Sequence, residues 1–207
     1  MYSKAGPGFR KKKPAKDETK TGEDEGKKSS PAFLRLQRDI ADLDLPENVK
    51  LVIPDKNDIM TFSLVIQPRG GFWDGGIFEF TFEIPAKYPF DGPKVQCIDK
   101  VYHPNIDLEG KVCVNVLRPW KPTYSVQIVL FGLLFLFSHP NPNDPLNNEA
   151  AADMRKDKNA FGTNVLNALK GKRVEGTQFN VNRGKKYGGE GHSAFDAKAD
   201  AKAEPKK

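Results

Sequence analysis

Cysteine is scarce: the chain holds two, Cys97 and Cys113, among 207 residues. Two cysteines cannot build the disulfide framework of a small secreted domain. The three histidines do not cluster with them at metal-ligand spacing, so no metal site is expected. Long apolar runs are lacking too. The longest, VQIVLFGLLFLF at 126–137, is too short to cross a bilayer, and the N-terminal Met-Tyr-Ser-Lys opens no apolar signal segment. No membrane partner is expected, and cytoplasm and nucleus are the natural setting. The body also lacks excess charge. The net charge is +6, and residues 1–30 and 184–207 account for all of it, leaving the residues between them balanced. With no aromatic-plus-basic stripe either, specific nucleic-acid binding is not expected.

What is present supports one well-cored domain: 38% hydrophobic residues, 14 of the residues being Phe. Residues 1–28 read as a disordered, basic extension, 29–171 as the folded body and 172–207 as a polar tail. Ser30 and Pro31 signal a helix start, N-cap then first turn. Leu36, Ile40 and Leu43 follow at helical spacing and predict a buried stripe, with Arg35, Gln37, Arg38 and Asp42 on the remaining faces. Strands are expected at 49–53, 62–67, 77–84 and 95–98. Their short connections, with Gly-Gly and Asp-Gly-Gly between 68 and 76, favour an antiparallel meander. Residues 126–137 are apolar on nearly every side and predict a central helix. Asn147 or Asn148 can cap another helix, and 158–169 predicts a last one. The fold class expected is α+β.

Between 85 and 122 the chain changes character. Six prolines, Pro85, Pro89, Pro93, Pro104, Pro119 and Pro122, make a long irregular segment, and such segments are usually functional. Within it stands VYHPNIDLEGKVCVNVLRPWKP, with Cys113 eight residues past His103-Pro104-Asn105. Local chemistry leaves two readings of Cys113 open. It is a buried hydrophobe, or a nucleophile that needs thiolate character or a partner to take its proton. Asn105 is likewise a turn cap or a neutral donor to a developing oxyanion.

Five motifs in order carry a resemblance: Tyr88-Pro89-Phe90, His103-Pro104-Asn105, Cys113, Trp120-Lys121-Pro122 and Pro140-Asn141-Pro142-Asn143-Asp144-Pro145-Leu146. Over roughly residues 31–169 the chain resembles the ubiquitin-conjugating enzymes, which carry a ubiquitin-like protein as a thioester. The resemblance implies their fold: an N-terminal helix, a four-stranded antiparallel sheet, a central helix and two C-terminal helices. It implies that Cys113 accepts the modifier's C-terminus and that Asn105 stabilises the oxyanion or holds the active-site loop. Asp144 would orient the attacking lysine, its alternative being an Asx turn before Pro145. His103 fits a structural imidazole pinning the Pro104 turn better than a general base. Trp120 and Pro122 would pack and dock, and Arg38 and Phe90 would meet partners. The carrier would bind no cofactor, ATP being consumed by the activating enzyme.

VYHPNIDLEG, WKP, PNPNDPLNNEAA and the helix LQRDIADLDLP resemble the branch that passes a Nedd-type ubiquitin-like protein to cullins. That branch implies a heterodimeric activating enzyme, a RING ligase, a co-ligase and a cullin substrate as partners. Its Lys-rich N-terminal extension would supply anchors at Met1, Tyr2 and Phe9. Phe90 pulls toward ubiquitin carriers instead. An inactive binding variant is disfavoured because Cys113 is present beside Asn105. Between Cys113 and Trp120 there is one residue fewer than expected for that branch, and Pro119 precedes the Trp.

Overall fold

The computed structural model describes residues 30–113 and 119–182. Helix α1 (Pro31–Ala41) starts as its sequence directs: Ser30 Oγ accepts from the Phe33 amide at 3.2 Å, with Pro31 in the first turn. It buries Ala32, Leu36 and Asp39. Four strands follow, β1 (Val49–Val52), β2 (Thr61–Ile66), β3 (Phe78–Glu83) and β4 (Lys94–Cys97). They form one antiparallel meander in sequence order. Pairing runs without a bulge from Thr61↔Glu83 to Ile66↔Phe78. That register turns Phe78, Phe80 and Phe82 into the core while Glu79 and Thr81 face outward.

Helix α2 (Val126–Ser138) lies against this sheet and buries Val126, Val129, Leu130, Leu133, Leu136 and Phe137 at helical spacing. Phe137 stacks on Phe78 at 4.9 Å, and Phe62 stacks on Phe82 at 4.8 Å. Apolar on nearly every side in sequence, α2 is not buried on every side: Phe131 and Phe135 are about half exposed. Helices α3 (Asn148–Lys156) and α4 (Lys158–Leu169) follow, capped by Asn147 and Asp157. The order of elements and the antiparallel sheet are those expected.

The expected boundary at 171/172 is displaced. Residues 173–182 belong to the body, because they bury apolar surface and satisfy backbone groups. Strands β5 (Arg173–Val174) and β6 (Thr177–Gln178) form a hairpin whose turn residues Glu175 and Gly176 both have positive φ, 43° and 76°. Val174 and Phe179 are buried. Asn182 then clamps Ile77, accepting from its amide and donating to its carbonyl, each at 2.6 Å. Sequence reading missed this because a ten-residue segment with three apolar side chains looks like a tail until its backbone is paired. Asn182→Ala leaves both Ile77 groups unpaired, so urea unfolding should show a loss of about 3 kcal/mol. A chain ending at 171 should lose more, while one ending at 182 keeps the whole clamp.

Candidate active site

The site is built on a tight hairpin between β4 and Cys113. Asp107 makes its turn, with Oδ1 accepting from the amides of Glu109 (3.1 Å) and Lys111 (2.7 Å). Gly110 presses this turn onto β4. It has φ 86°, its carbonyl accepts from the Cys97 amide at 2.8 Å, and a Cβ there would stand 1.9 Å from the Cys97 oxygen. The returning arm brings Cys113 beside Asn105, whose carbonyl accepts from the Cys113 amide at 2.9 Å.

His103 anchors the other arm. It is fully buried and stacked on Trp73 at 4.3 Å. Its Nδ1 faces the Asn105 amide at 2.9 Å and therefore accepts; its Nε2 faces the Leu136 carbonyl at 3.0 Å and therefore donates. The ring is the neutral tautomer with a proton on Nε2. Burial pushes its pKa down to about 3, against the weaker opposing pull of the Leu136 carbonyl. Both nitrogens are committed, which favours the structural imidazole over the general base.

The segment 140–147 packs on this hairpin. Pro104 O accepts from the amides of Leu146 (2.8 Å) and Asn147 (3.0 Å). Asn105 does the rest. Its Nδ2 donates to the carbonyls of Asn141 (2.8 Å) and Asp144 (3.1 Å), and its Oδ1 accepts from the Asn141 amide at 2.8 Å. Both amide hydrogens are thus engaged. Loop holding is the role this arrangement supports; an oxyanion would have to displace one of those carbonyls. The Asx turn considered for Asp144 belongs to Asn141, whose Oδ1 accepts from the Asn143 amide at 2.9 Å. The Asp144 carboxylate instead lies 3.9 Å from Cys113 Sγ. Arg155 of α3 donates to the Pro142 carbonyl from the far side of the loop.

The two thiols differ. Cys97 closes β4, and its Sγ donates to the Asp99 carbonyl at 3.2 Å. Burial first, then the Asp99 charge, push its pKa far up, so it stays a thiol. Cys113, also outside any disulfide, is the one placed against a carboxylate across a loop.

A second cluster forms the flank. Trp120 Nε1 donates to the Pro89 carbonyl at 2.7 Å, and its ring lies so close to Gly92 that a Cβ there would approach to 2.8 Å. Arg35, expected on a face away from the buried stripe, reaches the carbonyls of Pro122 (3.2 Å) and Tyr124 (2.9 Å) and pairs with buried Asp39 at 2.9 Å. The Tyr88 hydroxyl also donates to Asp39. Burial, then that carboxylate, push the Tyr88 pKa up. Arg35 and Asp39 were missed by sequence reading, although their i,i+4 spacing was the available signal. Around this knot Arg38 and Pro122 are exposed, and Phe90 is 74% exposed. Met1, Tyr2 and Phe9, and the shortened stretch at 114–118, lie outside the described residues.

The sequence pattern of the family described as ubiquitin-conjugating enzyme matches residues 35–169, well over half of the chain. The chain belongs to the ubiquitin-conjugating enzymes. They are transferases, and the fold and the ordered motifs agree with that membership. The chain is 45% identical over 168 residues to the Nedd8-conjugating enzyme UbcE2M of Drosophila melanogaster, covering 79% of this chain and 93% of the fly protein. It is 47% identical over 155 residues to the NEDD8-conjugating enzyme Ubc12 of Arabidopsis thaliana, covering 74% and 84%. The solved structure of S. cerevisiae Ubc12 superposes with a TM-score of 0.73 at 35% identity, covering 80% of this chain and 95% of the yeast chain.

A pH dependence of stability follows from His103. Its folded pKa, about 3, lies below the ordinary 6.5, so in this window the unfolded chain binds more protons than this conjugating-enzyme fold. Stability therefore falls as pH drops below 6.5, by up to about 1.4 kcal/mol per unit, until the folded pKa is reached. Urea unfolding should show a loss of about 2 kcal/mol between about pH 7 and about pH 5. His103→Asn, compared at the same two pH values, should lack most of that slope.

Proposed function

We propose that this conjugating enzyme accepts a Nedd-type ubiquitin-like protein as a thioester on Cys113 and passes it to lysine side chains of cullins. The observation that carries the chemistry is the Cys113 thiol facing the Asp144 carboxylate at 3.9 Å across a loop tied down by Asn105. The modifier rests on the relatives' printed names, which are NEDD8-conjugating enzymes from insect, plant and yeasts. In the first step the Cys113 sulfur attacks the modifier's carbonyl on the activating enzyme, whose thiol leaves. The Cys113 proton ends on the departing sulfur, and one thioester replaces another. In the second step the acceptor amine attacks the carbonyl, the C–S bond breaks, and Cys113 leaves as thiolate while an isopeptide bond forms. Asp144, exposed at the thiol, orients the incoming ammonium and takes its first proton before attack; the second N–H proton, released as the amide forms, goes to the departing Cys113 sulfur.

Partners divide between two surfaces. The flank around Arg38, Phe90 and Pro122 would meet the RING ligase or the heterodimeric activating enzyme. Met1, Tyr2 and Phe9 of the extension would be short apolar anchors on the activating enzyme and co-ligase. The carrier itself would use no cofactor; ATP is consumed upstream by the activating enzyme. Cytoplasm and nucleus suit a chain whose two cysteines are both unbridged.

The decisive test offers ATP with Nedd8 and its activating enzyme, and in parallel ubiquitin with its own. A reducing-agent-sensitive adduct should form with Nedd8. Cys113→Ser should give an adduct that resists thiols and yields to mild alkali, and Cys113→Ala none. Preferential loading by ubiquitin would replace the modifier in this reading and keep the chemistry.

Discharge of the preformed thioester to free lysine separates the two roles of Asn105. If it acts by holding the loop that carries Asp144, Asn105→Ala and Asp144→Ala should overlap. The double variant should then be about as slow as the worse single one. An oxyanion donor would instead multiply the Asp144 effect by roughly a hundredfold.

A further inference from the structure

The arm that delivers Cys113 is a short piece of antiparallel ladder. Ile106 pairs with Val112, and on either side the Lys111 carbonyl accepts from the Asp107 amide at 3.1 Å and the Asn105 carbonyl from the Cys113 amide at 2.9 Å. Backbone bonds therefore hold 111–113 as extended chain. Successive side chains of extended chain point to opposite faces. Val112 and its partner Ile106 turn toward the core. Lys111 and Cys113 thus share the other face. Their neighbours agree: Asn105, across from Cys113, reaches the loop of Asp144, and Asp107, across from Lys111, turns its carboxylate to the Lys111 amide.

Two residues of extended chain put the Lys111 and Cys113 Cα atoms about 7 Å apart. The flexible four-carbon stem of a lysine spans a comparable distance, so the amine can reach a carbonyl carried on the sulfur. Lys111 is exposed, and its side chain forms no ion pair among the described residues. It stands in the wall of a cavity of about 370 Å³ with Lys94, Gln96 and Glu109, which leaves the stem room to turn. Lys94, the other lysine there, stands opposite Glu83 in the β3–β4 ladder. The carrier chemistry leaves the Lys111 amine without a task.

We infer that Lys111 is an acceptor for the modifier carried on its own Cys113. The inference rests on the thioester-carrier reading and adds a fate for a loaded carrier that meets no substrate. The Lys111 ammonium first gives one proton to water. The neutral amine attacks the thioester carbonyl, the C–S bond breaks, and the second N–H proton goes to the departing Cys113 sulfur. An isopeptide bond on Lys111 and a free Cys113 thiol remain. A tethered amine acts at an effective concentration in about the millimolar range, so a docked acceptor outruns it and an idle carrier does not.

The test loads the full chain with Nedd8, quenches ATP, adds no acceptor and follows a conjugate that survives reducing agent. Each yield is divided by the amount first loaded. The conjugate should form with a first-order rate constant that dilution leaves unchanged, and peptide mapping should place the branch on Lys111. Lys111→Arg keeps the charge and removes the attacking amine; the yield should fall about tenfold or more, whereas Lys94→Arg should leave it. A branch on another lysine, a rate that rises with carrier concentration, or an undiminished yield in Lys111→Arg would overturn the assignment. Failure to load overturns the carrier reading instead, and a second experiment then still decides the reach. A short maleimide bearing an N-hydroxysuccinimide ester adds to the Cys113 thiol, and its ester acylates an amine nearby, releasing N-hydroxysuccinimide. Mapping should find Cys113 joined to Lys111; a crosslink to another lysine, or none, would show the amine out of range.

Discussion

The neutral ring of His103 is where Trp73 of the β2–β3 connection, the central helix and the active-site hairpin meet. Its Nε2–H satisfies a carbonyl in the last turn of α2, a group with no partner inside its own helix. Its Nδ1 takes the amide of Asn105, and so sets the backbone from which that side chain reaches across to 140–147. Protonating the ring would force two donors to face one acceptor and one amide hydrogen. The histidine works by staying uncharged, and the rest of the site inherits its position from that.

From this anchor the site grows by exchange of backbone groups. Pro104 offers a carbonyl to two successive amides, and Asn105 offers an amide to two carbonyls and an oxygen to a third partner. Two irregular segments, neither with a strand or helix of its own, thereby become rigid enough to hold a thiol and a carboxylate at a fixed separation. The loop gains precision without becoming regular structure, with Asn105 and Asn147 buried to hold it. Asp144 is left outermost, where an incoming amine can reach it.

Much of this was legible in the sequence, for identifiable reasons. α1 could be read because a Ser-Pro start and a helical stripe coincide, and β2 and β3 because short apolar runs flank a glycine-rich connection. Cys113 could be told from Cys97 only through the ordered motifs around it; local composition left both as plausible buried thiols. Asn105 was legible as important but not as fully engaged, since hydrogen-bond saturation depends on carbonyls 36 and 39 residues away. The reach of Tyr88 to Asp39, of Arg35 to Pro122 and Tyr124, and the Asn182 clamp were illegible for the same reason. Each is a long-range satisfaction of polar groups and leaves no periodic trace. The 173–182 hairpin is too short to show alternation at all.

Gly110 gives the site an unusual genetic profile. It touches no reacting atom, yet any side chain there would collide with the main chain of β4 and swing away the turn that delivers the thiol. A mutational survey scored only by conjugation would rank this glycine with the nucleophile. Only a second score, for abundance of folded protein, would tell hinge from chemistry.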